Sequence, residues 1–214
     1  MIVLTAFRWV PAFARGLVRD LRVRWALEEA GIPYRERLIG PEDQTSDAYL
    51  ALQPFGQVPA IETDGFKLFE SGAILLYLAE RSEALAPSDA AGKARATAWV
   101  IAALNSVEPA VDNYAELEFF HADEPWAAAR RPEALALLLK RLDALEHWLG
   151  GRDYLEAGFT IGDLMMTTVL RSLRDTDIVV NRPVLRAYQE RCEARPAFQK
   201  ALADHLRPFE TNAA

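Results

Sequence analysis

The sequence predicts an α/β unit followed by an all-helical unit, and three observations carry that prediction. Strand and helix signals alternate as βαβ and then ββα over residues 1–82. Beyond a Pro-Ser-Asp linker at 87–89, strand signals nearly vanish and apolar residues recur at helical spacing. A chain of 214 residues is also long enough for two small domains. We therefore expect domains at 1–82 and 88–214.

The βαβ part follows from local periodicity and one stop signal. Ile2 to Phe7 is a short β-prone run, and from Leu17 to Ala30 apolar residues recur every four positions. Gly31, closely followed by a proline, ends that helix. Tyr34 to Ile39 reads as a second strand, and this order predicts a parallel pair joined by a right-handed crossover.

The ββα part follows a polar, weakly helical stretch from Pro41 to Leu52. Val58 to Glu62 and Phe66 to Phe69 read as two strands, and Asp64-Gly65 between them predicts a type I′ hairpin. Ser71 is a residue type that caps helices, so we expect it to begin the next helix.

The second unit reads as helices throughout. The predicted segments are Ala90 to Phe120 with a bend at Pro109, Glu133 to Leu149, Thr160 to Leu173 behind a capping signal, Pro183 to Glu193, and Pro196 to His205.

Composition excludes several classes of protein. Hydrophobic residues make up 51% and charged residues 26%, which is typical of a globular chain. The net charge of −7 argues against nucleic acid as a partner, and the apolar runs are too short for a membrane span.

The single cysteine, Cys192, permits no intrachain disulfide, and no signal peptide is evident, so we expect a cytoplasmic protein. The three histidines lack metal-ligand spacing, so no metal site is predicted.

A first candidate site lies at the entry to the third strand, where Pro59 follows Val58. A cis bond between them would turn the chain so that the N–H and C=O of Val58 face sideways, free to pair with an extended peptide. The alternative is an ordinary trans proline on an edge strand, which is the commoner arrangement.

A second candidate site is Glu70-Ser71, directly before a predicted helix. Backbone N–H groups at a helix start favour a carboxylate, while the neighbouring glutamate suits an ammonium group. Together they describe a site for the zwitterionic end of an amino acid. The alternative is a plain helix cap beside a solvated glutamate.

Four segments, in this order and spacing, resemble the glutathione S-transferase family. They are Arg24 to Tyr34 (RWALEEAGIPY), Gln53 to Pro59 (QPFGQVP), Glu70-Ser71, and Thr160 to Asp163 (TIGD). The resemblance implies a thioredoxin-like N-terminal domain, an all-helical C-terminal domain that carries the electrophile pocket, glutathione as co-substrate, and a homodimer.

The resemblance also assigns residues. Val58, before a cis Pro59, matches the residue whose backbone pairs with the cysteinyl unit of glutathione. Glu70 and Ser71 match the pair that holds the γ-glutamyl ammonium and carboxylate. Gln44 matches a polar position that reaches the glycyl carboxylate.

Gln57 lies beside the position of the glycyl carboxylate. The Thr160 to Asp163 segment is a capping box, for which we expect a structural role alone.

One departure from the family concerns activation of the thiol. The family uses a Tyr near the end of the first strand, or a Ser or Cys around the start of the first helix, and Ile2 to Ile32 contains none of these. Thr5 falls at about the tyrosine position, and an altered loop, Trp9 to Gly16, occupies the serine position. Free N–H groups around Leu17 and Val18, with the charge of Arg19, would lower the thiol pKa.

Thr5 and Arg19 are therefore the catalytic candidates, the first as a hydrogen-bond donor. Arginines crowd this region, at Arg8, Arg15, Arg19, Arg22 and Arg24. Such a patch suits a small anion. The alternative for these arginines is a solvated helix face or a salt bridge within the first helix.

The leading functional hypothesis is a glutathione transferase that conjugates the thiolate to small apolar electrophiles, with peroxide reduction as a further activity. The alternative is a glutathione-binding scaffold with little catalysis, which the missing activator favours. A glutathione-dependent oxidoreductase is a third hypothesis, although it usually needs a cysteine in the first domain.

Overall fold

The structure, a computed structural model, describes residues 1–63 and 65–211. Its mixed sheet contains β1 (Ile2–Phe7), β2 (Tyr34–Ile39), β3 (Ala60–Thr63) and β4 (Phe66–Phe69), in the order β2-β1-β3-β4. β1 and β2 are parallel, and the β1–β3 and β3–β4 pairs are antiparallel. The predicted parallel pair is confirmed. The predicted Asp64-Gly65 turn includes Asp64, which lies outside the described residues.

The helices of the described chain are α1 (Asp20–Ala30), α2 (Pro41–Gln44), α3 (Asp47–Leu50), α4 (Ser71–Ala79), α5 (Ala90–Ala102), α6 (Glu108–Ala115), α7 (Pro125–Leu149), α8 (Ile161–Leu170), α9 (Pro183–Glu193) and α10 (Pro196–Thr211). This pattern is a thioredoxin-like domain followed by a helical domain, so the predicted fold class is confirmed.

The chain divides into two compact units, and the last helix belongs to the first of them. Unit 1 comprises Met1–Ala86 and the chain from Ala194 onward, whereas unit 2 is Pro87–Glu193. α10 packs on α1, where the rings of Trp25 and Phe198 lie 4.8 Å apart in an edge-to-face arrangement. The domain limits 1–82 and 88–214 stay a prediction, while α10 itself makes its contacts with the α/β unit.

Buried charges hold α1 in place. Nε of Arg24 donates to Oδ2 of Asp20 at 2.7 Å, both side chains are buried, and Arg24 also pairs with Glu36 on β2. The salt bridge within the first helix, one of the two expectations for these arginines, is thus confirmed for Arg24. Burial by itself raises the pKa of Asp20, but His205 and Arg24 outweigh it and leave the pKa below the ordinary value. Asp20 therefore lies ionised inside the protein.

Several helix boundaries differ from the sequence prediction. α1 begins at Asp20, because the N–H of Leu17 donates to Ala14 in a separate turn (3.0 Å). α7 runs through Pro132, and α10 runs through Pro208. A proline removes one backbone hydrogen bond, and a long helix packed along one face tolerates that loss.

The first stretch of unit 2 is helical from Ala90 to Phe120, as predicted. Two π-helical segments, Ala103–Val107 and Glu116–Phe120, interrupt the α-helical pattern, and Pro109 lies in the first turn of α6. A wider turn just before the proline accommodates the missing N–H.

The capping box that begins α8 is also present. The carboxylate of Asp163 accepts from the N–H of Leu155 at 2.8 Å and of Thr160 at 2.9 Å, and from the hydroxyl of Tyr188 at 3.1 Å. With the 3.2 Å bond from the Thr160 hydroxyl, four hydrogen bonds from three residues fix this buried helix start, which is the structural role expected of it.

The described residues contain neither a membrane-spanning helix nor a cluster of potential metal ligands. No helix there is both long and apolar enough to cross a membrane. No cluster of three or more His, Cys, Asp or Glu side chains in that part of the chain is arranged to hold a metal ion.

We predict that Asp20→Asn lowers the free energy of unfolding by about 3 kcal/mol, because it breaks a buried ion pair. A carboxylate with a lowered pKa stabilises the fold above its unfolded pKa, and this contribution is lost as the pH falls through the folded pKa. The difference between wild type and variant should therefore shrink as the pH drops below 3.8.

Urea unfolding at a series of pH values measures this difference, with the exposed Asp123→Asn as the matched control. A pH-independent difference would contradict an ionised Asp20.

Candidate functional site

The sheet register brings three chain segments to one edge of unit 1. Ala60 lies opposite Thr5 on β1 and opposite Phe69 on β4. Beyond these paired residues, β1 ends at Phe7, Val58 lies two residues before Ala60, and α4 begins at Ser71, two residues after Phe69. The two sequence-predicted sites, Val58 and Glu70-Ser71, therefore meet at this edge.

The loop before β3 presents the backbone of Val58. The bond between Val58 and Pro59 is cis, as predicted, and both residues are buried. Within the described chain, neither the N–H nor the C=O of Val58 makes a hydrogen bond. Buried backbone groups are almost always paired, so this donor and acceptor form an open position for an extended peptide.

Buried polar side chains hold that loop in shape. Oε1 of Gln53 accepts from the N–H of Phe55 at 2.6 Å and of Gln57 at 3.2 Å. The hydroxyl of Tyr49 donates to the carbonyl of Gln57 at 2.6 Å. The side chain of Gln57 is itself exposed, next to the open backbone of Val58.

Gly56 connects this loop to Gln44. It has a φ of +63°, and a Cβ there would lie 2.9 Å from the Gln44 carbonyl oxygen, so no other residue fits without movement. Nε2 of Gln44 donates to the Gly56 carbonyl at 2.8 Å. One amide hydrogen of Gln44 is thereby used, and the other remains for a ligand.

The start of α4 differs in detail from the prediction. Ser71 is the first helical residue and the cap position is Glu70, so the expectation that Ser71 caps the helix is wrong. Glu70 has a φ of +69°, the one positive value among described non-glycine residues. Its exposed side chain makes no capping bond.

Arg22 is a site residue that sequence reasoning did not single out. Its guanidinium is buried, and Nη1 donates to Oγ of Ser71 at 3.2 Å. Since the Ser71 oxygen accepts this bond, its own O–H proton is directed to another acceptor. A buried cation, a hydroxyl donor and the N-terminus of α4 together favour a carboxylate. A clue in the sequence is the position of Arg22, between apolar residues of a helix that proves buried.

The two catalytic candidates, Thr5 and Arg19, differ in whether a ligand can reach them. Thr5 has no exposed surface, and its hydroxyl has no hydrogen-bond partner among the described residues. Thr5 therefore does not enter the site described here, because a ligand does not reach it. The N–H of Leu17 is not free either, since it donates to Ala14. Arg19 is exposed directly before α1, at the positive end of the helix dipole.

Unit 2 contains a cavity of its own, with a volume of about 630 Å³. The apolar part of its lining is Tyr114, Phe119, Leu139 and Ile178. Glu118, Asp175 and Asp177 give the same cavity an acidic part, and Arg182, which also lines it, is paired with Asp143 and Glu146. Burial, followed by the charge of Glu118, raises the pKa of Tyr114, so its hydroxyl stays protonated and can donate. A flat, apolar molecule without negative charge fits such a lining.

Comparisons with known proteins agree with this architecture. The family model described as "Glutathione S-transferase, N-terminal domain" matches residues 13–80, and "Glutathione S-transferase, C-terminal domain" matches residues 114–196. Glutathione S-transferase 3 of Zea mays is 34% identical over 203 residues, 86% of this chain and 88% of that protein. Maleylpyruvate isomerase of Ralstonia sp is 30% identical over 84% of this chain and 90% of its own length.

A solved structure is similar as well. A glutathione transferase from Burkholderia graminis, crystallised with two glutathione molecules per subunit, superposes with a TM-score of 0.81 at 27% identity, covering 94% of this chain and 87% of that one.

The fold and the edge site define a two-domain protein in which a thioredoxin-like sheet presents an open backbone position. The chain belongs to the glutathione S-transferase family. The family includes members with differing activities, such as the isomerase just described.

We predict that the backbone at residue 70 is strained. Glu70→Gly should then be more stable than Glu70→Ala by about 1 kcal/mol, because glycine adopts a positive φ without steric cost. Thermal or urea unfolding of the two variants measures the difference. At Glu80, whose backbone is right-handed helical, the same pair should rank in the opposite order. Equal stabilities at position 70 would contradict the strain.

Proposed function

We propose that unit 1 binds glutathione and that the protein is a glutathione transferase. The observation that carries the proposal is the unpaired, buried backbone of Val58, which offers one donor and one acceptor at the edge of the sheet where α4 begins. The cysteinyl unit would pair with Val58. The γ-glutamyl carboxylate would bind Ser71 with Arg22 behind it, and the ammonium would face Glu70.

The other end of the peptide is assigned to the loop. Gln44 keeps one amide hydrogen for the glycyl carboxylate, and the exposed Gln57 lies next to Val58. These two assignments complete a site whose charges match those of the tripeptide, with cationic and hydroxyl donors for carboxylates and one carboxylate for the ammonium.

Thiol activation is assigned to the N-terminus of α1 and to Arg19. Both favour a thiolate over a thiol, since each places positive charge near the sulfur. In the reaction the thiol proton passes to solvent, the sulfur forms a bond to the electrophilic carbon, and the leaving group departs with its electron pair. Attack of the same thiolate on a peroxide would form an S–O bond and break the O–O bond, giving the sulfenic acid of glutathione and an alcohol or water.

The substrate class we propose is small and apolar. The cavity of unit 2, with its aromatic walls and acidic residues, favours neutral molecules over anions. A homodimer and a cytoplasmic location, where thiols stay reduced, complete the proposal.

We predict that Ser71→Ala and Arg22→Met each weaken glutathione binding by about tenfold or more, because each removes a hydrogen bond at a charged group. Isothermal titration calorimetry measures the affinity, and Ser88→Ala, at an exposed serine, is the control. Cysteinylglycine, which lacks the γ-glutamyl group, should bind wild type and Ser71→Ala equally weakly. If both variants bind glutathione with wild-type affinity, Ser71 and Arg22 do not bind the γ-glutamyl carboxylate.

Turnover separates the transferase from the alternative. The missing Tyr, Ser or Cys activator favours a glutathione-binding scaffold as the second candidate function. Turnover of an aryl halide with glutathione supports the transferase. Binding of glutathione without turnover of aryl halides, enones or peroxides supports the scaffold, and absence of binding contradicts both.

We predict that Arg19→Ala raises the pKa of the bound glutathione thiol by about one unit, because a positive charge close to the thiolate is lost. Ultraviolet titration of the thiolate on the protein measures this pKa. The exposed Arg130→Ala on α7 serves as the control. An unchanged titration in Arg19→Ala would exclude Arg19 from activation.

A further inference from the structure

His205 on α10 is a buried imidazole whose two ring nitrogens are both engaged. The side chain is 1% exposed. Nδ1 lies 3.1 Å from Oδ2 of Asp20, and Nε2 accepts from the backbone N–H of Gly16 at 3.2 Å. His205 thus contacts two residues that lie far from it in sequence, Asp20 at a separation of 185 residues and Gly16 at a separation of 189.

The partners determine where the proton lies. The N–H of Gly16 needs an acceptor, so Nε2 carries no proton. Nδ1 therefore carries it and donates to the ionised Asp20 carboxylate. Arg24 donates to the same oxygen of Asp20 and keeps that carboxylate in place. The imidazole is thus oriented as a fixed acceptor aimed at Gly16.

Gly16 is the point at which the altered loop turns toward α1. It is buried with a φ of +79°, and it directly follows the Trp9–Arg15 segment. Leu17 and Val18 come next, and Val18, like Phe7, packs on the buried cluster that contains Val58. The position of Gly16 therefore decides how the chain approaches the open backbone of Val58.

We propose that His205 is a positioning residue for thiol activation: by holding Gly16 it sets the path of the chain into α1 and so the positive groups that face the sulfur. The inference rests on the proposed function, since it concerns the same bound glutathione. His205 itself does not touch the ligand, because it is buried and both nitrogens are used. In a chain without a Tyr, Ser or Cys activator, backbone geometry at this point takes over that role.

Two substitutions separate this role from simple packing. In His205→Asn the side-chain amide coincides with Nδ1, so the bond to Asp20 is kept and the bond to Gly16 is lost. In His205→Gln the amide reaches the position of Nε2, so its oxygen accepts from Gly16 while the bond to Asp20 is lost. If His205 had only a structural role, the change in thiol pKa and kcat in each variant would follow its loss of stability.

The readouts are the pKa of the bound glutathione thiol and kcat with an aryl halide, alongside the free energy of unfolding and the Kd of S-methylglutathione. We expect His205→Asn to raise the thiol pKa and to lower kcat by about tenfold, because small misplacements of reacting groups are costly. His205→Gln should restore both, whatever its stability. The Kd of S-methylglutathione should stay within about twofold in each variant, since the peptide contacts are elsewhere.

Each result decides the matter. An unchanged thiol pKa in His205→Asn, or equal defects in the two variants, would overturn the positioning role while leaving the proposed function intact. If the wild-type protein does not bind S-methylglutathione, the proposed function is refuted, and this inference with it. Amide hydrogen exchange at Gly16 adds a check without ligand, with faster exchange expected in His205→Asn than in His205→Gln.

Discussion

The antiparallel register around Ala60 is the constraint on which the rest of this molecule depends. Because Ala60 is opposite both Thr5 and Phe69, the end of β1, the start of β3 and the start of α4 leave the sheet at one edge. A shift of one residue would turn Val58 and Ser71 to opposite faces. The segments around Val58 and Glu70-Ser71 do not each make a site, but the strand pairing brings them to the same edge of the sheet.

The proposed glutathione site depends on positive charge buried in α1 of an acidic protein. The net charge of −7 would repel a carboxylate at long range, but Arg22 acts at close range through Ser71 in a dry environment. Arg24, two residues further along α1, pairs with Asp20 and Glu36. Neighbouring arginines on one helix thus have different contacts, one with the start of α4 and one within α1 and to β2.

Local signals predicted the strands β1, β2 and β4 residue by residue, and the motif around Val58 was found because its unusual proline is visible in sequence. Three features were out of reach of local reasoning. The contact of Arg22 with Ser71 and that of His205 with Gly16 join elements distant in sequence. The positive φ of Glu70, which displaces the helix cap by one residue, is a conformation that glutamate rarely adopts.

In the proposed transferase, the burial of Thr5 means that thiol activation comes from other groups. A side-chain hydroxyl at the end of β1 or the start of α1 would act directly on the sulfur, but here the one candidate is enclosed by the sheet. What remains are backbone dipoles and the charge of Arg19, whose effect depends on distance and direction rather than on proton transfer. Such groups stabilise a thiolate only when the chain that carries them is held rigidly. The contacts of His205 with Gly16 and Asp20 therefore contribute to the proposed thiol activation.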